Sequence, residues 1–143
     1  MEGMRRVMIL TLNGIGIGFP LSQVIRILGT PDSKSWIPDD SVTLLRFSRA
    51  CDSDLFIYLS KGDVVGEIKS AKSIELDGIA KLYAGDLECQ VEPVLGRCQG
   101  RDVSPEGWGS VWRYVRAGYC VSVSFYPLGY VHGFSAKSLP LSQ

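Results

Sequence analysis

Ser70-Ala71-Lys72-Ser73-Ile74 recurs further along the chain as Ser135-Ala136-Lys137-Ser138-Leu139. One such echo carries little, but two others precede it, in the same order in each half. Leu12-Asn13-Gly14-Ile15 is matched by Leu76-Asp77-Gly78-Ile79. Gly18, Gln23, Val24, Leu28 and Gly29 are matched, at identical internal spacing, by Gly85, Gln90, Val91, Leu95 and Gly96. Ordered self-similarity of this kind is the mark of one structural unit used twice. The chain is therefore read as one domain, residues 1–143, built from two repeats at 12–74 and 76–139.

Each copy opens with a helix pattern. Leu21, Val24, Ile25 and Leu28 fall at i, i+3, i+4 and i+7, one apolar stripe, and Gly29 followed by Thr30-Pro31-Asp32 ends it. In the second copy Leu87, Val91 and Leu95 supply the stripe and Asp86 can cap the start. Pro93 has no amide to bond back one turn, so this helix is expected to be short or kinked.

The period then changes from 3.6 to 2. Val42 to Phe47 and Leu55 to Leu59 in the first copy, and Val111 to Val115 and Val121 to Phe125 in the second, are rich in β-branched and aromatic residues and read as strands. Gly62-Asp63 and Leu128-Gly129 turn the chain into third strands near Val64 to Ile68 and Tyr130 to Phe134. The expected fold class is α+β: two helix-plus-meander units forming one continuous antiparallel sheet, with both helices on one face and the other open to solvent.

At 143 residues the chain buries enough surface, about two-thirds of its extended area, to need no staples. Fifteen basic residues balance fifteen acidic ones, and no basic stripe marks a nucleic-acid binder. Arg5 and Arg6 precede Val7-Met8-Ile9-Leu10, but Thr11, Asn13 and three glycines interrupt the run, which reads as a strand and not as a secretion signal. No segment reaches the roughly 18 apolar residues that span a bilayer, so a soluble cytoplasmic protein without membrane contact is expected. Cys51, Cys89, Cys98 and Cys120 have no metal-ligand spacing and read as reduced thiols; a Cys89–Cys98 disulfide would require another compartment.

Candidate chemistry is sparse. Gly14-Ile15-Gly16-Ile17-Gly18 lacks the third glycine of a dinucleotide loop, since Phe19 stands there, and no parallel strand follows. His132, the single histidine, sits in a strand with no recognisable nucleophile beside it. Asp39-Asp40 and Asp52/Asp54 lie in turns without a calcium-loop pattern. No cofactor and no metal are expected.

The aromatics are more informative. Trp112, Tyr114 and Arg116 share one face of a strand, and Phe56 and Tyr58 share the face opposite Leu55, Ile57 and Leu59. Trp, Tyr and Arg dominate binding hot spots because they bury large areas while keeping a polar tip able to pair. Such a face is either a binding surface or one that the chain covers with its own second layer.

The pattern Gly18-Phe19-Pro20-x-x-x-Val24-x-x-x-x-Gly29-x-Pro31, with Gly85, Val91, Leu95 and Gly96 in the second copy, resembles the repeat motif of the β-lactamase inhibitor protein family. It also resembles the small envelope lipoproteins that carry one copy of that fold. The resemblance implies tandem helical and antiparallel units whose sheet face clamps another protein. Where that family carries a Thr or Ser helix cap, this chain has Pro20 and Leu87. A cytoplasmic two-repeat binder is also similar to the immunity proteins bacteria keep against delivered toxins.

The expected function is thus a protein-binding inhibitor, foremost an immunity protein, that occludes a toxin or enzyme active site. Its anchors would be Trp112, Tyr114, Arg116, Phe56 and Tyr58, with Asp52 and Asp54 as complementing charge. The alternative is a small-molecule or lipid-binding module, or an envelope-assembly adaptor, with a pocket between sheet and helices. An enzyme using His132 and a cysteine is a third reading.

Overall fold

The alternation of Leu55, Ile57 and Leu59 with Phe56 and Tyr58 forms a strand in the computed structural model, which describes residues 10–48, 54–78, 80–103, 109–116 and 118–139. The first half holds β1 (Leu10–Leu12), α1 (Leu21–Leu28), β2 (Ser33–Ile37), β3 (Val42–Phe47), β4 (Leu55–Ser60) and β5 (Val64–Ala71). There follow β6 (Ser73–Leu76), β7 (Ala80–Tyr83), a 3-10 turn (Glu88–Gln90), α2 (Glu92–Leu95), β8 (Gly100–Val103), β9 (Ser110–Arg116), β10 (Tyr119–Phe125) and β11 (Val131–Ser138).

Eight strands make one antiparallel sheet in the order β2-β3-β4-β5-β11-β10-β9-β8, joined through its centre by β5 and β11. The single continuous sheet expected from the sequence needs one correction. β1, β6 and β7 form a separate three-stranded sheet, because Asp77 and Gly78 adopt φ of 56° and 72° and fold 73–83 into its own hairpin.

Each helix is tied to the main sheet by backbone bonds at matching places. Gly18 N–H donates to Val65 O at 2.8 Å and Gly85 N–H to Val131 O at 2.8 Å; Leu21 N–H reaches Asp63 O and Glu88 N–H reaches Gly129 O. Both helices end on a glycine, Gly29 at φ 84° and Gly96 at φ 83°, a region that side chains disfavour. Pro93 sits in the first turn of a four-residue helix, the short helix its missing amide predicts. Asp86 does not cap that helix: its carboxylate accepts from Tyr83 N–H, and Gln90 Oε1 takes the Leu87 N–H instead.

Register decides which side chains are inside, since partnered residues of an antiparallel sheet point the same way. Leu45, Ile57, Ile68, Ala136, Val121 and Tyr114 form one row across six strands, and all are buried. Val24 of α1, Val91 and Leu95 beside them, and Leu12, Ile74 and Leu82 of the small sheet join the same core. Each fully buried aliphatic side chain contributes about 1.5–3 kcal/mol.

Trp112 and Tyr114, expected as exposed anchors, belong to this core. Trp112 partners Val123 and Tyr114 partners Val121, both fully buried, so the two aromatics must point inward, at 5% and 1% exposure. Trp112 packs on Phe125 at 4.6 Å, with the Arg101 guanidinium 4.1 Å above its ring. Arg116, on the same side, is half-buried and donates to the Leu95 carbonyl at 2.8 Å, where a cation suits the end of α2. It is a structural clamp and not a surface anchor.

The Tyr114 hydroxyl is buried and has no hydrogen-bond partner among the described residues. An orphaned buried hydroxyl costs about 1–3 kcal/mol, so Tyr114→Phe is expected to raise stability by about 1 kcal/mol in chemical denaturation. Burial also pushes the phenol up to about 12. The unfolded chain loses this proton near pH 10, before the folded protein does, so stability falls as pH rises from 10 toward 12. In Tyr114→Phe that alkaline loss should be smaller.

Candidate functional site

The opposite side of the main sheet is the candidate site. Leu44, Tyr58, Glu67, Lys137, Cys120 and Val115 form its central row, partner by partner across the six strands of the core row. Arg46, Phe56 and Lys69 lie beside it on β3, β4 and β5. None of these nine residues is buried, whereas each has a buried neighbour one position along its strand. The alternation places Phe56 and Tyr58 here, as expected, because Leu55, Ile57 and Leu59 take the core side.

The aromatics are fenced by charge. Lys69 Nζ stands 5.2 Å from the centre of the Tyr58 ring and 3.7 Å from Glu67. Arg46 pairs with Asp54 at 3.4 Å, and Arg113, further along the face on β9, pairs with Asp102 at 3.1 Å. These partly exposed pairs contribute little to stability, about 0–1 kcal/mol each, but hold the side chains in place around Phe56 and Tyr58. Lys137, in the middle of the face, has no ion pair among the described residues.

The structure thus brings together Phe56, Tyr58 and Asp54 and leaves Trp112, Tyr114 and Arg116 on the other side of the sheet. Asp52 lies outside the described residues, as does Cys51. Cys89, Cys98 and Cys120 are free thiols. Leu44, Lys69, Lys137 and Val115 were missed in the sequence reading; the register that aligns them with Tyr58 would have found them. Among the described residues no group of His, Cys, Asp and Glu could hold a metal ion, and no helix is long and apolar enough to cross a membrane.

No family model matches the sequence, and no curated protein matches it. Two solved structures share the fold. A DUF4309 family protein (YjgB) from Bacillus subtilis subsp. subtilis str. 168 superposes with a TM-score of 0.53 at 10% identity, over 84% of this chain and 78% of that one. An extracellular protein containing a SCP domain from Bacillus anthracis str. Ames superposes with a TM-score of 0.56 at 9% identity. That match covers 85% of this chain, which spans 44% of the length of the Bacillus anthracis chain. At such identities the likeness is one of fold alone.

Proposed function

We propose that this chain is a non-catalytic protein-binding module, of the kind inhibitors and immunity proteins are, and that it grips its partner with the open face of the eight-stranded sheet. The observation that carries this reading is the pair Phe56 and Tyr58, half-buried on a rigid strand, with Leu44 and Val115 in the same plane and basic groups around them. Aromatic and aliphatic side chains fixed in advance lose little ordering entropy on binding. Arg46, Lys69 and Arg113 are already paired with Asp54, Glu67 and Asp102, so the face favours a partner with an apolar centre and a carboxylate placed to meet Lys137. Binding would act by occlusion, covering the partner's own active or docking surface, and it does not depend on the compartment.

A tandem duplication over 12–74 and 76–139 is part of the same proposal. It is supported by the matched bonds of Gly18 and Gly85, the paired bridges Pro20 to Val64 and Leu87 to Tyr130, and the mirrored strand order around β5 and β11. Duplication doubles the width of a four-stranded half-sheet into a surface large enough for a protein. Alanine variants along the central row test the binding reading: Leu44→Ala and Tyr58→Ala should lower partner affinity, while Arg26→Ala, on exposed α1, should not. Equal losses from both sides would overturn it.

A further inference from the structure

Near one end of the β5–β11 seam the sheet opens into a cavity of about 200 Å³, lined by Ser70, Lys72, Ser124, His132, Ser135 and the backbone of Gly133. At about 30 Å³ per water, it has room for a phosphate-sized group. Two irregularities in pairing create it. β11 slips register between Phe134 and Ala136 against β5, and β10 slips at Ser124/Phe125 against β11. Bulges of this kind re-aim side chains beside functional sites. Ser70 stands at φ 65°, a left-handed backbone rare for serine. Gly133 leaves the floor bare: a Cβ there would lie 3.1 Å from Ala71 O and 4.0 Å from Lys72 Nζ.

Beside Phe134, the lining offers donors that the protein itself leaves largely unused. Among the described residues the hydroxyls of Ser70, Ser124 and Ser135 make no protein hydrogen bond, and Lys72 Nζ makes one, to His132 O at 3.3 Å. An ammonium carries three donors, so two remain. No carboxylate lines the cavity to neutralise that charge. His132 is held edge-on against Tyr126 at 4.8 Å. Partial burial, and then the nearby Lys72 charge, keep its imidazole below the ordinary value and thus neutral at pH 7.

We propose that this cavity binds the oxyanion head of a small ligand, a phosphate or a carboxylate, with Lys72 as the charge partner and Ser70, Ser124 and Ser135 as hydrogen-bond donors. The site lies on the same open face of the sheet, since Ser124 and Ser135 share the side of Cys120 and Lys137 on β10 and β11. It uses neither Phe56 nor Tyr58, which stand on β4, so the two proposals are tested by different residues.

Because His132 is the single histidine, its imidazole proton resonances report on the cavity without assignment of the whole spectrum. Inorganic phosphate and, separately, acetate are titrated into the full chain at constant ionic strength set with chloride. A saturable shift of the His132 resonances is expected with at least one of them, and which anion binds tighter separates a phosphoryl from a carboxylate ligand. Lys72→Gln should weaken that binding at least about tenfold, the loss of one charge-assisted contact, while Lys81→Gln, paired with Glu75 elsewhere, should leave it unchanged. Ser124→Ala, expected to weaken it severalfold, serves the same purpose if Lys72→Gln fails to fold. Phosphate binding that survives Phe56→Ala supports a site that works without the aromatic pair, whatever the fate of the protein-partner reading. A linear drift with both anions, or saturation identical in wild type and Lys72→Gln, overturns the proposal.

Discussion

Trp112→Ala is expected to cost about 3–5 kcal/mol of stability, a fall of about 10–17 °C in melting temperature for a chain of this size. Its indole is buried between Phe125 and the Arg101 guanidinium, and truncation leaves a cavity where the register of β9 and β10 allows no collapse. Tyr58→Ala, on the other face of the same sheet, should cost less than about 1 kcal/mol. Thermal denaturation of the two variants separates core from surface. Comparable losses would mean that the Tyr58 face is covered.

Tyr58→Ala should show its effect in binding instead. A pre-positioned aromatic at the centre of an interface is worth about 2 kcal/mol or more, so the partner complex should weaken about 30-fold. Phe56→Ala should give a comparable loss, and the two should not add, since the side chains are two positions apart on β4. Lys137→Glu should act differently: reversing the unpaired charge amid the face should lower the association rate and its salt dependence more than it raises dissociation. Calorimetry and stopped-flow mixing with the partner distinguish these outcomes.

The strands with one buried face were legible in the sequence because their alternation carries the burial energy. β3, β4, β9 and β10 fall where that pattern stands, and α1 where its stripe stands. β2 and β8 were not legible. Ser33–Ile37 and Gly100–Val103 are edge strands, mostly exposed, and are held by backbone bonds to one neighbour with almost nothing apolar to bury. The hairpin of β6 and β7 left a signal, Asp77-Gly78, that was noted as a repeat marker and not as a turn.

The same limit shaped the site. Within β4, alternation alone put Phe56 and Tyr58 on the wetted side. In β9 both faces hold large residues, with Val111, Arg113 and Val115 against Trp112 and Tyr114, so the strand's own pattern leaves its inward side undecided. Only pairing with Val121 and Val123 of β10 decides it. Ser70, Lys72 and Ser135 stood in the repeated tetrapeptide from the start. That they line one cavity follows from the two bulges, which depend on how β5, β10 and β11 meet and leave no periodic trace in the sequence.

The central claim is that a protein occupies the Tyr58 face. It is tested most directly by placing a photo-crosslinking amino acid at position 58 and, in a second variant, at Arg26 on α1, and irradiating the native cell. The account predicts one discrete crosslinked protein from position 58, lost when Leu44 is changed to Glu, and none from position 26. The absence of any crosslink from position 58, or the same product from both positions, would contradict it.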